Sequence, residues 1–185
     1  ASHINDVDKI ALLKEIIATE PLNKLRPFGD NFFYVSPIRG KISELKRENI
    51  SPQTLKERLL AQREAFAALT DLYHEGGAHT GKMRGKYADL EKQIEKNEEF
   101  CRIYDRYEEL LLTRRLYDYD DMIVETIRAL EKTPELLLML QEEYQYVLAD
   151  EHQDANAAQN RLLELLSGYH ESPNLFIVGD EKQAI

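Results

Sequence analysis

Apolar residues recur along most of this chain at helical spacing, and only two short runs near its end break that rhythm. Between Asp6 and Thr19, acids and bases alternate around Ile10, Leu13, Ile16 and Ile17, which share one helical face. Pro21, Pro27 and Gly29 then predict a turn region. Phe32 to Val35 has strand-like composition but equally suits one buried side of a short helix, and helix is the expectation. Pro37 is expected to interrupt, with a short helix resuming from Gly40 to Asn49 through Ile42 and Leu45. Ser51 as N-cap and Pro52 at the first helical position open the next element. Its apolar positions, Leu55, Leu59, Phe66, Leu69 and Tyr73, predict a helix of about 20 residues. A second long helix is expected from near Lys86 to Leu116, striped by Tyr87, Leu90, Ile94, Cys101, Tyr104 and Leu111, with Asn97 and Glu108 breaking the stripe. Joined by a short glycine-rich turn, these two should pack as an antiparallel hairpin.

Asp118 is placed to cap a helix running to about Glu131, with Asp120 and Asp121 in the first turn, where the helix dipole favours negative charge. Pro134 starts another, Glu135 to Tyr144. The rhythm then changes. Val147-Leu148-Ala149 and Phe176-Ile177-Val178 have the length and composition of buried strands, and each gives way to acid, at Asp150-Glu151 and at Asp180-Glu181. Between them, Asp154 to Gly168 reads as one helix, with Asp154 or Asn156 as N-cap and Gly168 as terminator. A strand, helix, strand unit of this kind has parallel strands, and ligands of open α/β sheets gather at their carboxyl ends. Asp150, Glu151 and Asp180 all fall there. The expected fold is mostly α with a small α/β part.

An Asp-Glu pair at the tip of a strand has a definite chemical use. Asp150 can hold Mg²⁺, a hard cation that prefers oxygen ligands, and Glu151 can orient or deprotonate a water that attacks a γ-phosphate. Gln183, beyond the second strand, could sense that phosphate through its amide. Alone, such a pair also suits the start of a solvated loop; the second strand, with Gly179-Asp180 and Gln183 at matching depth, favours the chemical reading.

These residues also carry a resemblance. Asp150-Glu151-His152-Gln153-Asp154, followed after about 25 residues by Val178-Gly179-Asp180 and then Gln183 and Ile185, resembles motifs II and III of the UvrD/Rep family of superfamily 1 DNA helicases. Asp118-Tyr119-Asp120-Asp121-Met122-Ile123 is similar to an Asp-Phe-Asp-Asp-Leu-type segment of the same enzymes. The resemblance implies Asp150 as Mg²⁺ ligand, Glu151 as catalytic base, Gln183 as the link between γ-phosphate and DNA site, and Gln153 and Asp180 as supports of that network, with ATP as the nucleotide. His152 departs from the family, which has an aromatic or apolar residue there, and reads as packing variation.

Gly76 to Lys82 matches the P-loop spacing, but its context does not. A working P-loop follows a buried strand and ends in Ser or Thr, whereas Leu69 to Glu75 is expected to continue a helix and Met83 replaces the hydroxyl. The loop remains interesting electrostatically: Lys82, Arg84 and Lys86 form the best basic cluster of an acidic chain and suit contact with a DNA backbone.

Composition bounds these readings. The 185 residues, 43% hydrophobic, suffice for a core, while the net charge of −10 argues against strong non-specific DNA binding by the whole surface. Cys101 is the single cysteine, which fits a reducing cytoplasm. The apolar run Leu136 to Leu140 is too short to span a membrane. Two parallel strands are too few for an independent sheet, and no credible P-loop lysine is present. The expectation is therefore a fragment: residues 1–116 as the helical insertion of the first RecA-like domain (subdomain 1B), and 117–185 as that domain's motif II and III segment. By resemblance, the parent is an ATP-driven 3′ to 5′ DNA helicase, and the isolated chain is expected to be inactive. The competing reading is a non-catalytic helical module that binds a protein partner through a degenerate nucleotide fold.

Overall fold

The computed structural model describes residues 1–76, 79–169 and 172–180. The chain divides into two compact units, Ala1–Ile42 with Ile50–Leu116, and Ser43–Asn49 with Tyr117–Ile185. Its elements in chain order are β1 (Ser2–His3), α1 (Asp6–Thr19), α2 (Val35–Arg47), α3 (Pro52–Ala67), α4 (Gly85–Thr113), β2 (Leu116–Tyr117), α5 (Tyr119–Lys132), α6 (Pro134–Glu143), β3 (Val147–Ala149), α7 (Ala157–Ser167) and β4 (Leu175–Ile177). The fold is mostly α with a small α/β part. Among the described residues, no helix is long and apolar enough to cross a membrane.

In the first unit, α4 is the central element, and α1 and α3 pack on it. Asn5 opens α1 with a reciprocal capping box to Asp8, and Leu12, Leu13, Ile16 and Ile17 turn inward. From α4 come Ile94, Ile103, Tyr104, Tyr107, Leu110 and Leu111, a buried face wider than the predicted stripe, while Leu90 is exposed. Glu99 is buried in that face. Its carboxylate accepts the backbone N–H groups of Asn23, Lys24 and Leu25 at 2.8, 2.8 and 2.9 Å, fixing the loop after α1.

Three sequence expectations fail here for local reasons. Pro37 does not interrupt: α2 runs through it from Val35, so the helix begins before Gly40. Pro37 lies in the first turn, where a missing N–H costs nothing, and Ile38 and Ile42 supply the buried face. Phe32 and Phe33 instead form an exposed turn, with the Phe32 N–H bonded to the Asp30 side chain at 2.9 Å. The third helix ends at Ala67, short of Tyr73. Leu69 and Tyr73 continue the stripe by spacing but are 36% and 51% exposed, because the chain reverses to bury Leu72 against Phe66 and Ile94. Tyr73 then pairs antiparallel with Met83, and Gly81, at φ +76°, makes the turn that a β-carbon would strain. Residues 69–75 are thus neither the buried strand of a P-loop nor a continuing helix.

In the second unit, α5, α6 and α7 pack together, and α7 lies against β3. Asp118 caps α5 with a box to Asp121, as the sequence predicts. The three aspartates are nonetheless buried, not solvated. Lys46, 2% exposed, places its ammonium 2.9 Å from Asp118 and 2.5 Å from Asp121, and Arg47 and Ser43 hold Asp120. Burial raises the Asp121 carboxyl above its ordinary range, against the opposing pull of Lys46.

The strands β3 and β4 pair in parallel, in the register Val147 to Leu175, Leu148 to Phe176 and Ala149 to Ile177. They are not the buried strands expected from composition: Leu148 is 75% and Phe176 65% exposed. A two-stranded sheet covered by helices on one side leaves its other face bare.

Candidate functional site

The sheet ladder continues past the ends of both strands. Val178 donates its N–H to Ala149 O at 2.8 Å, and His152 donates to Val178 O at 3.0 Å. Between these two bonds the backbone turns at Glu151, which adopts a left-handed conformation (φ 51°, ψ 39°) uncommon for a residue with a β-carbon. The chain passes through a 3-10 turn, His152–Asp154, and enters α7 at the Asn156 cap, which settles the choice between Asp154 and Asn156.

Four of the predicted site residues converge at this strand end. Asp150 is exposed and its Oδ1 accepts the Glu151 N–H at 2.9 Å. Gln153 joins the two strand ends with one amide: its Nε2 donates to Glu151 Oε2 at 2.6 Å, and its Oε1 accepts the Asp180 N–H at 2.8 Å. Gln183, with Glu181 and Lys182, lies outside the described residues.

Sequence reasoning overlooked the part played by Gly179. A β-carbon there would stand 2.7 Å from Gln153 Oε1 and 3.3 Å from the Gln153 and His152 nitrogens. Only glycine lets the second strand end approach the bridging amide, and the sequence signal was present in the glycine preceding the acid. His152 is half-buried, and among the described residues its Nδ1 is buried without a hydrogen-bond partner. Apart from the His152 imidazole, the cation-binding groups of the described residues at this turn are the side-chain oxygens of Asp150, Glu151, Gln153 and Asp180. Among the described residues no three His, Cys, Asp or Glu side chains are grouped to hold a metal by themselves.

Lys82, Arg84 and Lys86 fall in the first unit, on the paired segment leading into α4. Arg84 is the residue before the helix and Lys86 lies in its first turn. Asp71 sits among them. Its carboxylate is 2.5 Å from Lys86 Nζ and 3.9 Å from an Arg84 nitrogen, and it accepts the Tyr87 hydroxyl. Lys82 has no ion-pair partner among the described residues.

Comparison with known proteins agrees with the resemblance. The family model of the UvrD/REP helicase N-terminal domain matches residues 2–185. The ATP-dependent DNA helicase PcrA of Staphylococcus aureus (strain Mu50) is 30% identical over 182 residues, 98% of this chain and 19% of that protein. The PcrA of Staphylococcus epidermidis (strain ATCC 12228) is 29% identical over the same length. A protein named "Probable DNA helicase" from Mycoplasma pneumoniae is 46% identical over 79 residues, 43% of this chain and 15% of the relative. The chain spans about a fifth of the length of the PcrA relatives. With the match running across nearly its whole length, the chain belongs to the UvrD/REP helicase family, through that family's N-terminal domain.

Proposed function

We propose that this chain is part of an ATP-driven DNA helicase and translocase of 3′ to 5′ polarity, acting in the cytoplasm, and that the strand-end site is its nucleotide-hydrolysis centre. The observation that carries the reading is Gln153, whose single amide ties the Glu151 carboxylate to the Asp180 backbone across two parallel strand ends. A purely solvated loop has no use for such a bridge.

Asp150 would hold Mg²⁺, and the donor set fits: an exposed carboxylate suits an ion that takes one or two protein carboxylates and completes its shell with water and phosphate. When bound, Mg²⁺ with ATP supplies charge neutralisation at the phosphate oxygens. Glu151 serves as catalytic base, and Gln153 fixes Oε2, leaving Oε1 to receive a proton from water. Asp180 supports the bridge, and Gln183 couples the γ-phosphate to the DNA site. Residues 1–116 form the helical insertion and meet duplex DNA, with Lys82, Arg84 and Lys86 toward the backbone; residues 117–185 belong to the RecA-like core. The isolated chain is expected to be inactive, since no described segment forms the strand-to-helix P-loop that holds the phosphates of a nucleotide.

The test is single-stranded-DNA-stimulated ATP hydrolysis by the full natural polypeptide, beside Glu151→Gln. Loss of a base or water-positioning group should lower turnover by about 10² or more while nucleotide binding persists. Equal rates in the two proteins would remove Glu151 from the reaction.

A further inference from the structure

The basic cluster before α4 is already occupied from within. Asp71 receives Lys86 and Tyr87 directly and stands 3.9 Å from Arg84 Nη1. Lys86 also lies over the Tyr87 ring, 4.6 Å from its centroid, and Tyr87 packs edge-on against Phe66, so the donors are held by the small apolar cluster of Phe66, Leu72 and Ile94. One donor is left over: Arg84 Nε is buried and has no acceptor among the described residues. A buried guanidinium N–H without an acceptor is costly, and it marks a cradle that offers more donors than one carboxylate fills.

A carboxylate and a phosphodiester ask for the same partners, and a guanidinium, an ammonium and a phenol hydroxyl converging on one point satisfy either. We propose that Asp71 is an intramolecular stand-in for a nucleic-acid phosphate, seated in a cradle of Arg84, Lys86 and Tyr87, and that a duplex backbone must displace it to be held at this tip. The proposal rests on the reading that this tip meets duplex DNA. Displacement is feasible because the Asp71, Lys86 and Arg84 side chains keep 42%, 56% and 38% of their surface in water, where an ion pair contributes little net stability. The neighbouring cations hold the Asp71 carboxyl below its ordinary range, chiefly through the Lys86 ammonium, so it stays charged at neutral pH. In a chain of net charge −10, such a latch leaves Lys82 as the standing contact and keeps the other two cations in reserve. Weak, salt-sensitive engagement suits a surface that must release DNA as it moves.

The experiment is fluorescence anisotropy of a short labelled duplex with the full natural polypeptide, titrated across about 50 to 200 mM salt. Asp71→Asn is compared with Lys82→Ala and with Glu75→Gln, which removes the same charge from a nearby exposed position. Freeing two cations should tighten binding about three- to tenfold at the lowest salt and steepen the log–log salt slope by about 1 to 2. Glu75→Gln should give less than half of either change, and adding Tyr87→Phe to Asp71→Asn should reverse part of the gain. If Lys82→Ala weakens binding while Asp71→Asn only matches Glu75→Gln, the latch is refuted and the DNA contact stands. If neither Lys82→Ala nor Asp71→Asn alters affinity or slope, the tip does not meet DNA and both readings fall. Tighter binding of inorganic phosphate by Asp71→Asn, seen as phosphorus-31 line broadening, with unchanged duplex affinity would make this a free-anion site and overturn the proposal.

Discussion

Replacing Lys46 by methionine removes a cation from between two buried carboxylates while keeping most of its volume. The ammonium is 2.9 Å from Asp118 and 2.5 Å from Asp121, and all three side chains are nearly inaccessible to water. Breaking a buried pair by deleting one partner costs about 3–5 kcal/mol, because the remaining charge is left in a poorly polarisable site. Against a typical total of about 5–15 kcal/mol, that removes from about a fifth to all of the stability. The pH dependence is the sharper signature. Burial already raises the Asp121 carboxyl above its ordinary value of 3.8, so in the wild type its contribution is fullest below 3.8 and declines as pH climbs through the raised value. Without Lys46 the carboxyl rises further, so the variant's deficit should be largest at neutral pH and shrink on acidification toward about pH 4. Urea unfolding followed by circular dichroism across that range measures it. Lys46→Met/Asp118→Asn/Asp121→Asn, which neutralises the cluster but retains asparagine at the cap, should recover most of the loss. A deficit below about 1 kcal/mol at pH 7, or one that does not change with pH, would refute the reasoning.

Gly179→Ala places a methyl 2.7 Å from Gln153 Oε1; it should push the amide off Glu151, cost about 1–3 kcal/mol in thermal unfolding, and reduce DNA-stimulated ATP turnover by more than that destabilisation explains. Glu99→Ala strands three backbone N–H groups, that of Leu25 buried and those of Asn23 and Lys24 partly so, and should cost about 1–3 kcal/mol, with faster amide exchange confined to Asn23 through Leu25 as the local readout.

Elements whose signals lie within a few residues were legible in the sequence. Asp6 to Thr19 became α1 with those bounds, Ser51 and Pro52 opened α3, and Asp118 capped α5, because a cap and its helix are encoded side by side. What failed was set by distant partners. The end of α3 at Ala67 depends on Leu72 finding Ile94, and the burial of Asp118 and Asp121 depends on Lys46, which precedes them by some seventy residues. Glu99 gave no hint of its role, since a glutamate on a long helix looks the same whether it meets water or three amides. At the strand-end site the acids were readable from their position after apolar runs, but the bridge was not: it depends on β3 and β4 standing side by side, and on Gly179 having no side chain to keep Gln153 away.

The left-handed backbone at Glu151 has an evolutionary consequence. A residue bearing a β-carbon is disfavoured there by about 1 kcal/mol relative to glycine, and asparagine also tolerates the region better. Selection for folding alone would drift this position toward Asn or Gly within a few mutational steps. Arg115 shares this conformation, so the backbone alone does not demand an acid here, and stabilising libraries screened only for solubility should discard Glu151 early and, with it, the base proposed for hydrolysis.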